Sequence, residues 1–292
     1  MSGKMHPECY ICHFRRNVET ALTMGSEETA ASFARELMKL YLEAPEGISA
    51  PWFGPATTAL YGKYYGLDPD RYRGEKEASN RFVMERLEQI RASVEEAEDP
   101  VYAGLQSAVL GNYLDFCALQ GEVSFESMDR MLQEAKQIPL DRDVYRQLCA
   151  DLEKGKNLLY LTDNAGEIGF DRVFAQQLHK KYPHLAITFC VRGGPAANDA
   201  TREDAAAVGL EFPVIDNGNT ITGTQLDMLS EPAKQAFAQA DVVISKGQGN
   251  LETLMGCGKN IYYAFLVKCR RFEELFRKEK MTPMLVRERK DA

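Results

Sequence analysis

The sequence predicts an α/β protein whose first half is helical and whose second half carries a mostly parallel sheet covered on both faces. Three observations carry this. Up to about residue 150, apolar residues recur at helical spacing with charge between them. No run of alternating β-branched residues occurs in that half. From Gly155 onward, short apolar runs alternate with helical stretches, the pattern of buried parallel strands joined by crossover helices. The boundary therefore falls near residue 154 and divides a helical domain, 1–154, from an α/β domain, 155–292.

In the first domain the spacing predicts helices over Arg15 to Met24, Glu27 to Glu43, Lys76 to Ala97, Val101 to Ala118 and Phe125 to Gln137. Phe82, Val83, Leu87, Ile90 and Val94 trace one stripe of the third. Pro45-Glu46-Gly47, Gly54-Pro55 and Asp68-Pro69-Asp70 mark loops. In the second domain strands are expected over Asn157 to Thr162, Ala186 to Val191, Phe212 to Ile215, Asp241 to Ser245, Ile261 to Val267 and Met284 to Val286. Between them, Glu167 to Lys181, Thr201 to Val208, Glu231 to Ala238 and Phe272 to Lys280 read as helices. No internal repeat or low-complexity linker is present.

Composition narrows the function classes. The chain is 45% apolar and 27% charged, enough to bury a core, and 43 acidic residues outnumber 35 basic ones for a net charge of −8. That balance disfavours a nucleic-acid backbone binder. No apolar run approaches the ~20 residues of a membrane helix, and Met1 to Tyr10 holds no apolar stretch of a secretory signal. A soluble, cytoplasmic protein is expected, in which seven scattered cysteines are thiols rather than a disulfide framework.

In open α/β sheets the ligand crevice lies beyond the carboxyl ends of the strands. Three polar, Gly-rich segments fall there: Thr162-Asp-Asn-Ala-Gly-Glu167, Arg192-Gly-Gly-Pro195 leading to Asn198-Asp-Ala-Thr201, and Ser245-Lys-Gly-Gln-Gly-Asn250. Asp163, Asp199 and the amide carbonyl of Asn164 are hard oxygen donors suited to Mg²⁺ or Mn²⁺. Lys246 is suited to phosphate oxygens as a point charge. Glycines 166, 193, 194, 247 and 249 let backbone N–H groups approach an anion. Together these describe metal-dependent phosphoryl chemistry. Plainer readings stand beside it: Asp163-Asn164 as an Asx turn, Asp199 as a helix N-cap, and Lys246 as a solvated side chain. No G-x-x-x-x-G-K-S/T occurs, so this is not a P-loop, and no G-x-G-x-x-G follows the first strand.

The run Asp163-Asn-Ala-Gly-Glu-Ile-Gly-Phe-Asp171, with Gly194-Pro-Ala-Ala-Asn-Asp-Ala-Thr201 and Ser245-Lys-Gly-Gln-Gly-Asn-Leu-Glu252, resembles the signatures of the DUF89 family of metal-dependent damage-control phosphatases. Cys9-x-x-Cys12, Asp68-Pro69, Lys76, Asn80 and Gly111-Asn-Tyr-Leu-Asp-Phe116 resemble its prokaryotic CxxC-bearing subfamily. The resemblance implies a helical domain on a three-layer α/β sandwich. It also implies a divalent metal at Asp163, Asn164 and Asp199, a phosphate-binding lysine at Lys246, and hydrolysis of small phosphorylated metabolites such as sugar phosphates or phosphopantetheine-like compounds with Co²⁺, Ni²⁺, Mn²⁺ or Mg²⁺. On this reading Glu167 orients a water or supports the metal, and Asn112, Asp115, Arg192, Gly194, Asn198, Thr201 and Asn250 face the substrate. The alternatives are a carboxyl methyltransferase and a non-catalytic metabolite or metal-binding protein.

Cys9-Tyr-Ile-Cys12-His13 formally matches a c-type haem attachment pattern, which the absence of an export signal argues against. With His6, the spacing permits a zinc site without requiring one. Structural thiols at a helix start are the other reading. His179 and His184 are expected at the surface.

Overall fold

The computed structural model describes residues 5–114 and 138–288. Helix α1, Pro7–Met24, begins well before the periodic stretch, because Pro7 suits a first turn and His6 Nδ1 accepts from the Glu8 amide at 3.3 Å. Helix α2, Glu27–Glu43, is capped by Ser26 through the Thr29 amide. Gly54-Pro55, read above as a loop marker, instead opens α3, Gly54–Tyr65, since proline costs a helix nothing in its first turn. Helices α4, Arg73–Glu95, and α5, Pro100–Gly111, follow, the latter capped by Asp99. Helix α6, Arg142–Lys154, escaped the periodicity reading; Asp141 caps it through two amides. The helix expected over Phe125 to Gln137 and the end of Val101 to Ala118 lie outside the described residues.

The second half contains β1, Asn157–Leu161; α7, Glu167–Lys181; β2, Ala186–Val191; α8, Arg202–Ala207; β3, Val214–Asp216; α9, Glu231–Gln239; β4, Val242–Lys246; α10, Gln248–Leu254; β5, Ile261–Leu266; α11, Arg270–Phe276; and β6, Pro283–Glu288. The six strands order as β3-β2-β1-β4-β5-β6, parallel except for the antiparallel edge strand β6. Chain order reverses between β1 and β4, which is where such sheets open a crevice.

Strand parity divides the core. Leu158, Tyr160, Ile187, Phe189, Val242, Ile244, Tyr262 and Ala264 face a layer that includes Val101, Leu105, Ala108 and Val109 of α5, Leu148 of α6 and Phe174 of α7. Leu159, Leu161, Val243, Tyr263 and Phe265 face Ala233 of α9, Leu251 of α10 and Phe272 of α11. This is the three-layer α/β arrangement. Each fully buried Leu or Phe contributes about 1.5–3 kcal/mol relative to exposure. Helix α5, buried along its length, belongs to the sheet's core, so residue 154 marks where strands begin and not where packing ends.

Helices α1 to α3 make a separate cluster around Phe33, Leu37 and Tyr61. Beside it His13 bonds the Tyr41 hydroxyl at 2.6 Å and packs on Phe53. Burial, aided by the Arg16 charge, pulls the His13 imidazole down to about 4. Histidine in an unfolded chain titrates near 6.5. As pH falls from there toward 4, the unfolded chain therefore takes up a proton that the fold refuses, and stability drops. Urea melts of wild type and His13→Gln at pH 7 and 4.5 should show wild type losing about 2 kcal/mol more than the variant; equal losses would mean that the ring is hydrated in the fold.

Candidate active site

Beyond β1, Asp163 and Asn164 turn into α7. The N-cap of α7 is Gly166, at φ +74°, and no side chain caps it, so Asp163-Asn164 is not a capping turn. Beyond β2, Thr201 forms a capping box with Asp204, so Asp199 is not the N-cap of α8. An isolated antiparallel bridge joins Asn164 to Asp199, and Ala200 N donates to the Asp163 carbonyl at 2.7 Å. The three proposed oxygen donors thus share one buried place. Ala197, with φ +49°, carries backbone strain two residues before Asp199.

Asp163 Oδ2 accepts from Asn112 Nδ2 at 2.8 Å and Asn164 Nδ2 at 2.9 Å. Glu167 Oε2 accepts from Asn112 Nδ2 at 2.9 Å, Asn164 Nδ2 at 2.7 Å and the Asn164 amide at 3.3 Å. Asn198 Nδ2 donates to Asn164 Oδ1 at 3.0 Å. Gly247, at φ +77°, passes so close that an added Cβ would lie 2.0 Å from Asp163 Oδ2.

Lys246 departs from expectation. It is fully buried, and its ammonium donates to the Ala108 carbonyl at 2.8 Å, Glu167 Oε1 at 2.5 Å and Asp171 Oδ1 at 2.7 Å. Those three bonds use all the protons of an ammonium, so it offers none to a phosphate. It is the last residue of β4, on the face shared by Val242 and Ile244, and points under α5 and α7 rather than into a loop. Burial alone would lower Lys246, but Asp171 and Glu167 outweigh that and push it up to about 12. Burial pushes the Asp171 carboxyl up to about 6, with Lys246 pulling against it. Tyr160 donates to the same Asp171 oxygen at 2.7 Å. The sequence reading gave no role to Asp171 or Tyr160. The four-residue spacing of Glu167 and Asp171, one helix face, was the signal for the former.

Several expected substrate contacts are struts. Arg192 is buried, with Nε on Asp199 Oδ2 at 2.6 Å, Nη1 on the Gly223 carbonyl at 2.9 Å, and Nη2 4.0 Å from Asp163 Oδ1. Asn250 donates to the carbonyls of Thr162 and Lys246 and accepts from Thr224 and Arg192. The Thr201 hydroxyl serves Glu203 and Asp204. Glu167, with both oxygens occupied, supports Asn164 and Asn112 in place of a water. Gly194 sits half-buried in its loop, and Asp115 lies outside the described residues. Asn112 is fully buried, and among the described residues its Oδ1 has no hydrogen-bond partner.

The cysteine pair is not remote from the α/β half. Cys9 accepts from Arg271 Nη1 at 3.7 Å, and burial pushes its thiol up, while Cys12 is exposed. His6 caps α1 and His13 faces Tyr41, so neither joins the thiols. Among the described residues no group of three or more His, Cys, Asp or Glu is placed to hold a metal, and no helix is long and apolar enough to cross a membrane.

Fold and site together define an α/β protein with buried oxygen donors at the point where strand order reverses. The damage-control phosphatase ARMT1-like domain matches residues 5–282, and the chain belongs to that family. It is 32% identical over 286 residues to an uncharacterized protein, MJ0202, of Methanocaldococcus jannaschii, covering 92% of this chain and 90% of that one. A damage-control phosphatase of Archaeoglobus fulgidus is 29% identical over 91% of this chain and 93% of its own. The crystal structure of a DUF89 family protein, PH1575, from Pyrococcus horikoshii superposes with a TM-score of 0.80 at 25% identity, covering 97% of this chain and 99% of that one.

Proposed function

We propose that this protein is a metal-dependent phosphatase of small phosphorylated metabolites, with a divalent cation held by Asp163, Asn164 and Asp199. One observation carries the reading. Four buried carboxylates, Asp163, Glu167, Asp171 and Asp199, gather at the ends of β1 and β2 with the buried cations Lys246 and Arg192 beside them. Carboxylates crowded together in a buried place repel one another, and a dication among them turns that repulsion into attraction. Asn112 Oδ1 at the same point, without a hydrogen-bond partner among the described residues, adds an oxygen that accepts a cation or a bound water. Two carboxylates and an amide leave several coordination positions open, the habit of Mg²⁺ and Mn²⁺ sites that take phosphate oxygens. When bound, such an ion polarises the phosphoryl group and lowers the pKa of water.

The chain's own residues then have divided labour. Asn112 holds Asp163 and Glu167 together, and Asn198 fixes the amide of Asn164. Arg192 spans Asp199 and approaches Asp163. Lys246 neutralises Glu167 and Asp171 beneath. The names of the Archaeoglobus and Pyrococcus relatives, damage-control phosphatases, support the same reading.

The test uses protein stripped with EDTA and offered p-nitrophenyl phosphate, sugar phosphates and phosphopantetheine. Phosphate release should be absent without metal and return with Co²⁺, Ni²⁺, Mn²⁺ or Mg²⁺. Release that survives chelation unchanged, or none with any metal and any of these esters, would defeat the proposal; in the second case the methyltransferase and binding-protein alternatives take its place.

A further inference from the structure

Asn80 lies on α4, in the helical half, yet its carboxamide bonds the loop that carries Asp163 and Asn164 directly and reaches the Asp199 loop through Asp204 of α8. Its Oδ1 accepts from the Gly166 amide at 2.7 Å, and its Nδ2 donates to Asp204 Oδ1 at 2.8 Å. Gly166 stands between Asn164 and Glu167. Asp204 in turn accepts the amide and hydroxyl of Thr201, both at 2.8 Å, and the Lys76 ammonium at 2.7 Å. Thr201 is two residues past Asp199. Asn80, Lys76, Thr201 and Asp204 are all at most 6% exposed, so water competes for none of these bonds.

Helix α4 cannot easily shift to accommodate a change. At Gly169 of α7 an added Cβ would fall 2.6 Å from Val83 Cγ1, which shows how closely the two helices are seated. The loops are already joined on one side by backbone bonds, Ala165 N to the Asn198 carbonyl at 2.9 Å and Ala200 N to the Asp163 carbonyl at 2.7 Å. Asn112, Asn198 and Lys246 hold side chains of the Asn164–Glu167 segment, but these bonds leave its backbone at Gly166 able to pivot. Asn80 adds an attachment from α4 at the Gly166 amide and restrains that pivot. Small hard cations need near-ideal placement of their oxygen ligands, so a pivot of this kind lowers affinity before it unfolds anything.

We propose that Asn80 is a positioning residue that sets the spacing between the Asp163–Asn164 loop and the Asp199 loop, with Lys76 anchoring Asp204 as its partner. This rests on the reading that the two loops hold a divalent cation.

The experiment measures Mn²⁺ binding to metal-free protein by the EPR signal of the free ion, below the melting temperature and without substrate. Asn80→Leu keeps volume and removes both hydrogen bonds; Asn80→Asp sets a carboxylate against Asp204. Each should weaken Mn²⁺ binding tenfold or more. The exchange Asn80→Asp with Asp204→Asn restores a donor–acceptor pair at unchanged total charge and should return binding to within threefold of wild type. Tyr145→Phe, which cuts half-buried bonds to Asp99 away from the loops, should lower the melting temperature and leave Mn²⁺ binding unchanged. Wild-type affinity in folded Asn80→Leu, or failure of the exchange to restore what Asn80→Asp loses, overturns the assignment of Asn80 alone. Absence of Mn²⁺ binding by wild type overturns the cation reading and this one with it. Should Asn80→Leu not fold, the Asn80→Asp pair of variants decides.

Discussion

Lys246→Met is expected to destabilise the whole protein rather than only slow it. The ammonium is enclosed, with Glu167 at 2.5 Å, Asp171 at 2.7 Å and the Ala108 carbonyl at 2.8 Å, and methionine takes a cation and three donated hydrogen bonds away from two buried carboxylates and a carbonyl. Breaking a buried pair on one side costs about 3–5 kcal/mol, which in a chain of this size lowers the melting temperature by on the order of 10 °C. The deficit should grow with pH. Asp171 already sits near 6, with Lys246 holding it down against burial; without the ammonium its carboxyl titrates higher still. Below that pKa the folded variant carries a neutral acid, and above it an unpaired charge, so melts at pH 5 should show a smaller loss than melts at pH 8. A variant as stable as wild type at both pH values, but with depressed kcat/KM for a phosphate ester, would restore the phosphate-contact role expected from sequence.

That difference shows which parts of the site the sequence made legible. The three loops were readable because each is a polar, glycine-rich interruption directly after an apolar run, and strand ends are where open α/β sheets place ligands. The direction of Lys246 depended on one residue of register. With β4 ended at Ser245, Lys246 belongs to a loop; with β4 continued through Lys246, it shares a face with Val242 and Ile244 and turns inward. The struts were illegible for another reason. Arg192, Asn250 and Asn80 each bond groups dozens of residues away, to Gly223, Thr162 and Gly166 among others. Nothing local separates a polar side chain that holds two loops together from one that meets a ligand. Helix α3 was lost because Gly-Pro marks a turn and the first turn of a helix equally well.

Asp163→Asn should give the opposite stability signature from Lys246→Met. The substitution keeps the shape and keeps an oxygen for the amide protons of Asn112 and Asn164, which reach Asp163 at 2.8 and 2.9 Å. It removes one negative charge from a cluster in which Asp163, Glu167, Asp171 and Asp199 outnumber Lys246 and Arg192. Metal-free Asp163→Asn should therefore melt no lower than metal-free wild type, since relief of like-charge crowding offsets the small loss of hydrogen-bond strength. Addition of Mn²⁺ separates the two proteins. An ion that binds only the folded state at a hundred times its Kd stabilises by about 2.7 kcal/mol, or roughly 5–10 °C here, and wild type should gain that rise while the variant gains none. Loss of the ion's stabilisation of a transition state, worth several kcal/mol, should lower turnover by about a thousandfold or more. The pair of measurements distinguishes a site carboxylate from a structural one: a structural aspartate melts lower when neutralised and leaves the Mn²⁺ response alone. If Asp163→Asn keeps both the Mn²⁺-induced rise and its turnover, the cation does not sit at the end of β1.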